Sequence, residues 1–565
     1  MRADKLDAYV VRGTDRFLNE YVPTGESTRV WLSGFAGSTG DALVTLDTAT
    51  MFVDGRYALQ AQHDLDASHW KLDVLPLGVA NERAWSDRVV ALARARTGGT
   101  LRVGFEPDRF SIELFESVKT WTSGAPLEFV PTLPTLIERV RGTLIESRGN
   151  VRAVSEIDVG RTVDEKIAFV SEWLAVQGAR ALLVQRLDEL AYVTNLRGDE
   201  LPFQSTFRSI ALVTLNEIVV AVDLTKVPAS VRAARPSIRF VAEAEILAEI
   251  ASVGGGTIAC DPAGTTVALR NIVEQSGARV LLAPSPLTVM KAKKTAAELR
   301  AMRSAFERAD RVVIAAQRWL IDQVVGGATI TETDFAAQVE RMFRESGAVG
   351  LSFKVISACG ENAADVHHPP DPSRVIRRGE MMLLDTGAYY EEGYATDLTR
   401  TFFVGNEQDV PTEDMRRYFT LTLKSAIAGM TARMPRTAVG AQLDGISRAP
   451  LWGLGLEYSH GTGHGVGINV HESPPRVASV SLMKFEEGHV FSIEPGIYLA
   501  GKLGVRIENL CTVVPDPADE RFLQVEPMTF SPLDARLIDS ALLGEAEKDF
   551  LVKFAAGGKS AVRAA

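Results

Sequence analysis

Cysteine is nearly absent from this chain. Three residues (Cys260, Cys359 and Cys511) in 565 positions, none in a Cys-x-x-Cys spacing, exclude a disulfide framework and fit small buried side chains in a reducing compartment. Long apolar runs are missing too. The best, residues 210–222, is broken by Asn216 and Glu217 and falls short of a membrane span. The opening Met-Arg-Ala-Asp-Lys-Leu-Asp-Ala has no apolar core of the kind a secretory signal needs. A cytoplasmic protein with no membrane partner is therefore expected. Nor is there an excess of positive charge: Lys+Arg 61 against Asp+Glu 72 gives −11. Nucleic acid, which wants a basic footprint, is not expected as a partner. The one basic cluster, Lys291-Ala-Lys-Lys294, precedes a helix and reads as solvated surface.

At this length one hydrophobic core cannot serve the whole chain. The first third alternates strand-like and helix-like patterns: Ala8–Val11, Val30–Leu32, Ala42–Leu46 and Met51–Val53 read as strands, and Ala58–Gln62 as a helix. The second third repeats this plan. Ala42-Leu-Val-Thr-Leu46 recurs word for word as Ala211-Leu-Val-Thr-Leu215, and each copy is followed at the same distance by Val-Asp (Val53-Asp54 and Val222-Asp223). Duplication is the better reading of that match. Further on, Thr295-Ala-Ala-Glu298 has capping-box spacing. Leu299, Met302, Phe306, Ala309, Val313, Ala316 and Leu320 then form one apolar stripe on a long helix, which Gly326-Gly327 ends. Helices are also expected near residues 333–345, 412–434 and 439–451, with strands over 353–404 and 458–514. The expected architecture is two related α/β domains, residues 1–155 and 156–291, followed by an α+β domain at 292–565.

Histidine is scarce, and its placement is informative. Five of the eight (His367, His368, His460, His464 and His471) fall in two short windows. Tyr458-Ser-His-Gly-Thr-Gly-His-Gly-Val-Gly467 carries two of them four residues apart among glycines, which let backbone approach a ligand closely. If that stretch is extended, His460 and His464 face one side. Asp385 closes the apolar strand Met381–Leu384, and Asp397 precedes Phe402–Val404. The turn-like Tyr389–Gly393 makes the two strands a hairpin with its aspartates side by side. Glu494 and Glu508 lie in apolar, strand-like surroundings, where a carboxylate needs a cation or a partner; Arg506 is an alternative partner for one of them. Taken singly, each Asp also reads as a turn cap. Together, one imidazole and four carboxylates make a hard, oxygen-rich set that suits two cations of Mn²⁺ type better than a thiolate zinc site. Two such cations would share a water, lower its pKa and present hydroxide to a carbonyl carbon.

In the order Asp385, Asp397, His464, Glu494, Glu508, these residues resemble the metal set of the pita-bread metallopeptidases, a group that includes methionine aminopeptidase, prolidase and aminopeptidase P. The wording His460-Gly-Thr-Gly-His-Gly-Val-Gly467 with Asn469-Val-His-Glu472 is most similar to the three-domain Xaa-Pro aminopeptidases. Ser33-Gly-Phe-Ala-Gly-Ser-Thr-Gly40, Val53-Asp-Gly-Arg-Tyr57, Leu187-Asp-Glu-Leu-Ala191 and Asn195-Leu-Arg-Gly198 resemble that group's two creatinase-like N-terminal domains. The resemblance implies a C-terminal pita-bread domain, two divalent metal ions (Mn²⁺), a homodimer, and cleavage of peptides with proline in the second position. By the same resemblance Asp397 and Glu508 would bridge both metals, Asp385 would complete one site, and His464 with Glu494 the other. Glu494 would also act as general base. His367 and His471 would hydrogen-bond substrate and tetrahedral intermediate, His460 would line the proline pocket, and Arg506 would join the substrate-binding residues. His368 has no such counterpart. The Asp385–Asp397 interval of 12 is one longer than the family pattern, which calls for a longer turn or a bulge. The rival readings are a prolidase, a non-catalytic pita-bread binding module and a creatinase-like amidinohydrolase.

Overall fold

The computed structural model describes every residue except 77, 143–148 and 564–565. Ala8–Val11 (β1), Asp41–Thr45 (β2), Ala49–Asp54 (β3), Trp70–Leu75 (β4), Leu101–Phe105 (β5) and Leu127–Pro131 (β6) form one mixed sheet in the order β4-β3-β2-β1-β5-β6. The next sheet repeats it. Ala181–Val184 (β7), Ile210–Thr214 (β8), Ile218–Ala221 (β9), Ile238–Val241 (β10), Thr257–Cys260 (β11) and Arg279–Leu282 (β12) run in the order β10-β9-β8-β7-β11-β12. Even the register agrees: Ala42 faces Val11 as Ala211 faces Val184, and Leu43 faces Val10 as Leu212 faces Leu183. The recurring pentapeptide thus fills the same strand of the same sheet twice.

One expected strand is a helix. Thr28–Ser33 winds because Ser27 Oγ accepts the Val30 N–H, and Gly34, at φ +78°, ends the turn in the left-handed conformation. Local capping outweighs the β-propensity of Val30-Trp-Leu32.

By compactness the chain divides into two units. One comprises Met1–Glu156, Arg161–Pro202 and Thr206–Val289; the other comprises Met290–Ala565 with Ile157–Gly160 and Phe203–Ser205. The second unit opens on helix Ala296–Val325 (α1), started by the Thr295/Glu298 capping box and closed at Gly326. It is followed by Glu332–Glu345 (α2). Their apolar faces (Val313, Leu320, Phe335, Val339) share a core with Met382, Leu384, Leu398 and Phe402. Those residues belong to a three-stranded sheet of Ile356–Cys359 (β13), Met381–Thr386 (β14) and Leu398–Phe403 (β15), in that order. A larger sheet holds Arg433–Pro435 (β16), Gly463–Gly465 (β17), Glu472–Val477 (β18) and Val490–Ile493 (β19). After the hairpin Gly496–Leu499 (β20) and Leu503–Arg506 (β21), it is completed by Asn509–Pro515 (β22) and Phe522–Pro527 (β23). Its order is β16-β23-β22-β19-β17-β18. Helix Glu413–Met430 (α3) seals this sheet with Phe419, Leu423 and Ile427 against Phe491, Ile493 and Val513. The helix expected to reach Met434 therefore stops four residues short, and Met434 lies in edge strand β16. Among the described residues, no helix is long and apolar enough to cross a membrane.

Candidate metal centre

Asp385 lies near the end of β14, opposite Thr399 of β15, and Thr386 lies opposite Leu398. The bridge between Tyr389 and Ala395 continues the same register. No bulge is needed, so the turn alone takes up the extra residue. The aspartates are two register positions apart on one face of the hairpin, not directly opposite each other.

His464 is the middle residue of β17. Both flanking glycines are required, since a Cβ on Gly463 would lie 1.8 Å from Ser492 O and one on Gly465 2.4 Å from Glu472 O. That close approach lets the His464 N–H donate to Ser492 Oγ (3.1 Å), which in turn donates to Glu494 Oε1 (3.2 Å). On the ring, Nδ1 lies 3.2 Å from Gly465 O, a bond only an Nδ1–H can make. The Nε2 lone pair then faces Glu494 Oε1 at 3.4 Å and Asp397 Oδ2 at 3.5 Å. An imidazole held by a carbonyl at one nitrogen and turned toward carboxylates at the other is oriented as a metal ligand.

Ligand atoms of Asp397, His464 and Glu508 all lie within 4.8 Å of one another. Thr399 Oγ1 donates to Glu508 Oε2 (2.8 Å). Asp385 accepts from Arg506 Nη2 at Oδ2 (2.6 Å), while its buried Oδ1 has no hydrogen-bond partner among the described residues. Burial lifts Asp397 far above the usual carboxylate range, and Glu508, Asp385 and Glu494 add to the rise. Burial does the same to Glu508, helped by Glu494 and Asp385. Glu494 is pushed up to about 7, chiefly by burial; Arg506 opposes the rise and Asp385 adds to it. Asp397, Glu494 and Glu508, so placed, do not ionise together without positive charge among them. The orphaned Oδ1, the inward Nε2 and this mutual repulsion fit two divalent cations held mainly by oxygen.

The other histidines surround this core. His471 meets His464 edge-on, with ring centroids 4.3 Å apart. His460 is not on β17, which spans only Gly463–Gly465, so the extended stretch expected to join it to His464 is absent. Its Nδ1 donates to Gly461 O (2.7 Å) and its Nε2 accepts from Tyr498 Oη (2.9 Å). Tyr498 Oη itself accepts from Arg506 Nη1 (3.0 Å). Arg506 also donates from Nε to Thr399 Oγ1 (3.1 Å) and from Nη1 to Val366 O (3.3 Å). Its ion pair is thus with Asp385, not with Glu494 or Glu508. The Val366 contact places the following residue, His367, beside this network.

His368 turns to the wholly buried Glu332, with Nε2 2.7 Å from Oε2. Glu332 also accepts from Cys359 N (2.7 Å) and Asp371 N (3.1 Å), so the pair ties down the loop that carries His367. Burial pulls His368 down, but its bonds to Asp365 and Glu332 outweigh this and lift it to about 9. A raised imidazole contributes stability in full below its unfolded value of 6.5 and loses it as pH rises through about 9. Stability should therefore fall across that window by up to about 3 kcal/mol. Urea unfolding at several pH values would show this slope, and His368→Gln should flatten it. An unchanged slope in that variant would remove His368 as its source.

Of the basic cluster at 291–294, Lys293 is surface, its side chain 44% exposed, but the other two lysines are not. Lys291 and Lys294 are buried (2% and 8% exposed), and their Nζ atoms lie 2.9 and 3.1 Å from Glu472 Oε2. Only a carboxylate partner makes such burial tolerable, and that partner is remote in sequence. Cys260, Cys359 and Cys511 are free and buried, as expected.

Comparison with known proteins agrees with this geometry. Sequence models of the creatinase/prolidase N-terminal domain match residues 1–142 and 146–298, and that of metallopeptidase family M24 matches 300–515. The chain is 34% identical to a probable Xaa-Pro aminopeptidase P of Fusarium vanettenii, over 98% of this chain and 92% of that one. It is 31% identical to its counterpart in Laccaria bicolor, over 98% and 87%. The chain belongs to the Xaa-Pro aminopeptidase P family of M24 metallopeptidases. Among solved structures, the X-prolyl aminopeptidase of Caenorhabditis elegans, described as a cytosolic enzyme with a di-nuclear active site, superposes with a TM-score of 0.90 at 28% identity, over 99% of this chain and 92% of that one. A Bacillus anthracis Xaa-Pro dipeptidase (TM-score 0.56, 23% identity) shares fold only, spanning 66% of this chain and 99% of its own. The Xaa-Pro aminopeptidase P relatives thus match the whole length, where a dipeptidase matches two-thirds.

Proposed function

We propose that this protein is a metal-dependent aminopeptidase that removes the N-terminal residue of peptides with proline in the second position. The buried set of Asp385, Asp397, His464, Glu494 and Glu508 carries this reading. Two cations would be held there by Asp397 and Glu508 in common, with Asp385 completing one set of ligands and His464 with Glu494 the other. Bound there, divalent cations polarise a carbonyl and lower the pKa of water. The chain's own groups do the rest. Glu494, beside His464 and bonded by Ser492 Oγ, takes up and hands on a proton at its carboxylate. His471, edge-on to His464, and His367, beside the Arg506 network, supply donors to the substrate carbonyl and the oxyanion that develops from it. Tyr458 and Tyr498, packed on the His460 ring with centroids 5.0 and 5.5 Å away, give His460 an aromatic setting suited to an apolar proline ring. Arg506, fully buried and engaged at four points, braces Asp385, Thr399, Tyr498 and the loop before His367. That supports a bracing role beside the substrate contact expected of it. Proline in the leaving half makes a tertiary amide without N–H, so recognition falls to shape and to the carbonyl. The oxygen-rich donors favour Mn²⁺. The homodimer rests on family resemblance; a cytoplasmic location rests on the cysteine usage noted above, with the cytosolic C. elegans relative as a further support. The domain division we keep is 1–155, 156–291 and 292–565.

The test is hydrolysis of an Xaa-Pro-Xaa tripeptide beside an Xaa-Pro dipeptide, after chelation and again with Mn²⁺ restored. Metal-dependent release of the first residue from the tripeptide is expected. Cleavage of the dipeptide alone would make the protein a prolidase, and inactivity on both with no metal retained would make it a binding module.

A further inference from the structure

The His464–His471 interval is closed by a loop with an unusual fastening. Gly465 pairs with Glu472 across a register shift between β17 and β18, so residues 466–471 project as a loop. Glu472 then turns its side chain back into that loop. Its Oε1 accepts from Ile468 N (2.7 Å) and Asn469 N (3.2 Å), the two N–H groups just ahead of Val470 and His471. Its Oε2 takes both Lys291 Nζ and Lys294 Nζ, and Lys294 Nζ also donates to Lys291 O (2.8 Å). Room for the carboxylate comes from Gly467, where a Cβ would lie 2.3 Å from Glu472 Oε2. The same loop touches the far side of the site, since Ala395 N, two residues before Asp397, donates to Gly467 O (2.8 Å).

Burying three charges to fasten one loop is a poor route to stability, because an apolar cluster of equal volume does as well or better. What a charged cluster adds is position: a carboxylate bonded at both oxygens admits one loop geometry, whereas apolar packing admits several. The side chain that this geometry places is His471. We propose that Glu472, held by Lys291 and Lys294, is a positioning residue for the reaction. It sets the loop so that His471 meets the reacting carbonyl, and it acts through His471 and not through the metal ligands. This rests on the reading of His471 as a substrate-facing donor given above.

The experiment is a double-mutant cycle on the full-length, Mn²⁺-loaded enzyme with an Xaa-Pro-Xaa tripeptide, using Glu472→Gln, His471→Ala and the pair. Glu472→Gln keeps the shape and can still accept from the loop N–H groups, but it loses the charge that holds the lysines. We expect kcat to fall about 10- to 100-fold, the scale of a misplacement near 1 Å. KM should change less than about threefold and bound metal should stay at the native content. In the His471→Ala background the same substitution should cost less than about threefold, because both changes remove one effect. Glu472→Asp, which keeps the charge, should recover part of kcat. Multiplicative losses in the pair, or loss of metal in Glu472→Gln, would overturn the proposal. So would a His471→Ala enzyme as active as the native one, although native cleavage of the tripeptide would leave the assigned activity standing. Should Glu472→Gln fail to fold, Lys291→Met replaces it in the cycle, with the same non-additivity required.

Discussion

Asp397→Asn should raise the melting temperature of the metal-free protein and lower that of the metal-loaded one. Asp397 is 4% exposed and lies among three other carboxylates that oppose its ionisation. Without cations, a neutral isostere replaces a carboxyl whose ionisation the buried site opposes, so folding no longer has to protonate it, a gain of order 1–3 kcal/mol. With cations the sign reverses. Native protein gains about 2.7 kcal/mol from a ligand at a hundredfold its Kd, and the variant, missing a shared ligand, loses much of that. Activity should drop by about 10³-fold or more, because a cation pair that is not held can neither polarise the carbonyl nor acidify water. Scanning calorimetry of both proteins after dialysis against chelator, and again with Mn²⁺, checks the crossing. A variant less stable than native in both states would mean that Asp397 is compensated by the protein itself and has no need of a cation.

Glu494→Gln should cut kcat by about 10²- to 10⁴-fold, the range for loss of a general base, with KM close to native. The amide keeps an oxygen for Ser492, whose hydroxyl donates to Glu494 Oε1 (3.2 Å), so the fold around β19 should stand. Ser492→Ala provides the graded control. It removes the bond that orients the carboxylate and, with it, the acceptor of the His464 N–H, and should cost about tenfold. Single-turnover kinetics, which isolate the chemical step, are the measurement. A Glu494→Gln enzyme within tenfold of native kcat would assign the proton to another group.

Much of the fold and of the metal set is legible in the sequence because the signals are local. The repeated Ala-Leu-Val-Thr-Leu locates two equivalent strands, and the Thr295/Glu298 box locates the start of α1. Asp385, Asp397, His464, Glu494 and Glu508 stand out since four carboxylates and an imidazole in apolar strand contexts are hard to accommodate except around cations. Sequence fails where a distant partner decides the matter. Lys291 and Lys294 read as solvent-facing until Glu472, 178 residues beyond Lys294, is seen beside them. Arg506 has three acidic neighbours to choose from, and geometry gives it Asp385, 121 residues away. Joining His460 to His464 assumes a strand that the close approach of β17 to β19 confines to three residues. Val30-Trp-Leu32 misleads because Ser27 and Gly34 set the local conformation.

The division of the metal set between two sheets bears on how the enzyme is made. Asp385 and Asp397 belong to the β14–β15 hairpin, while in the larger sheet His464 lies within β17, Glu494 follows β19 and Glu508 precedes β22. The seam is the contact of Thr399 with Glu508, 109 residues apart. Closing so long a loop is entropically costly, so neither half meets the other early in folding. The five donors come together only when the hairpin and the larger sheet are joined. Cations would then meet the complete donor set only after both sheets have formed.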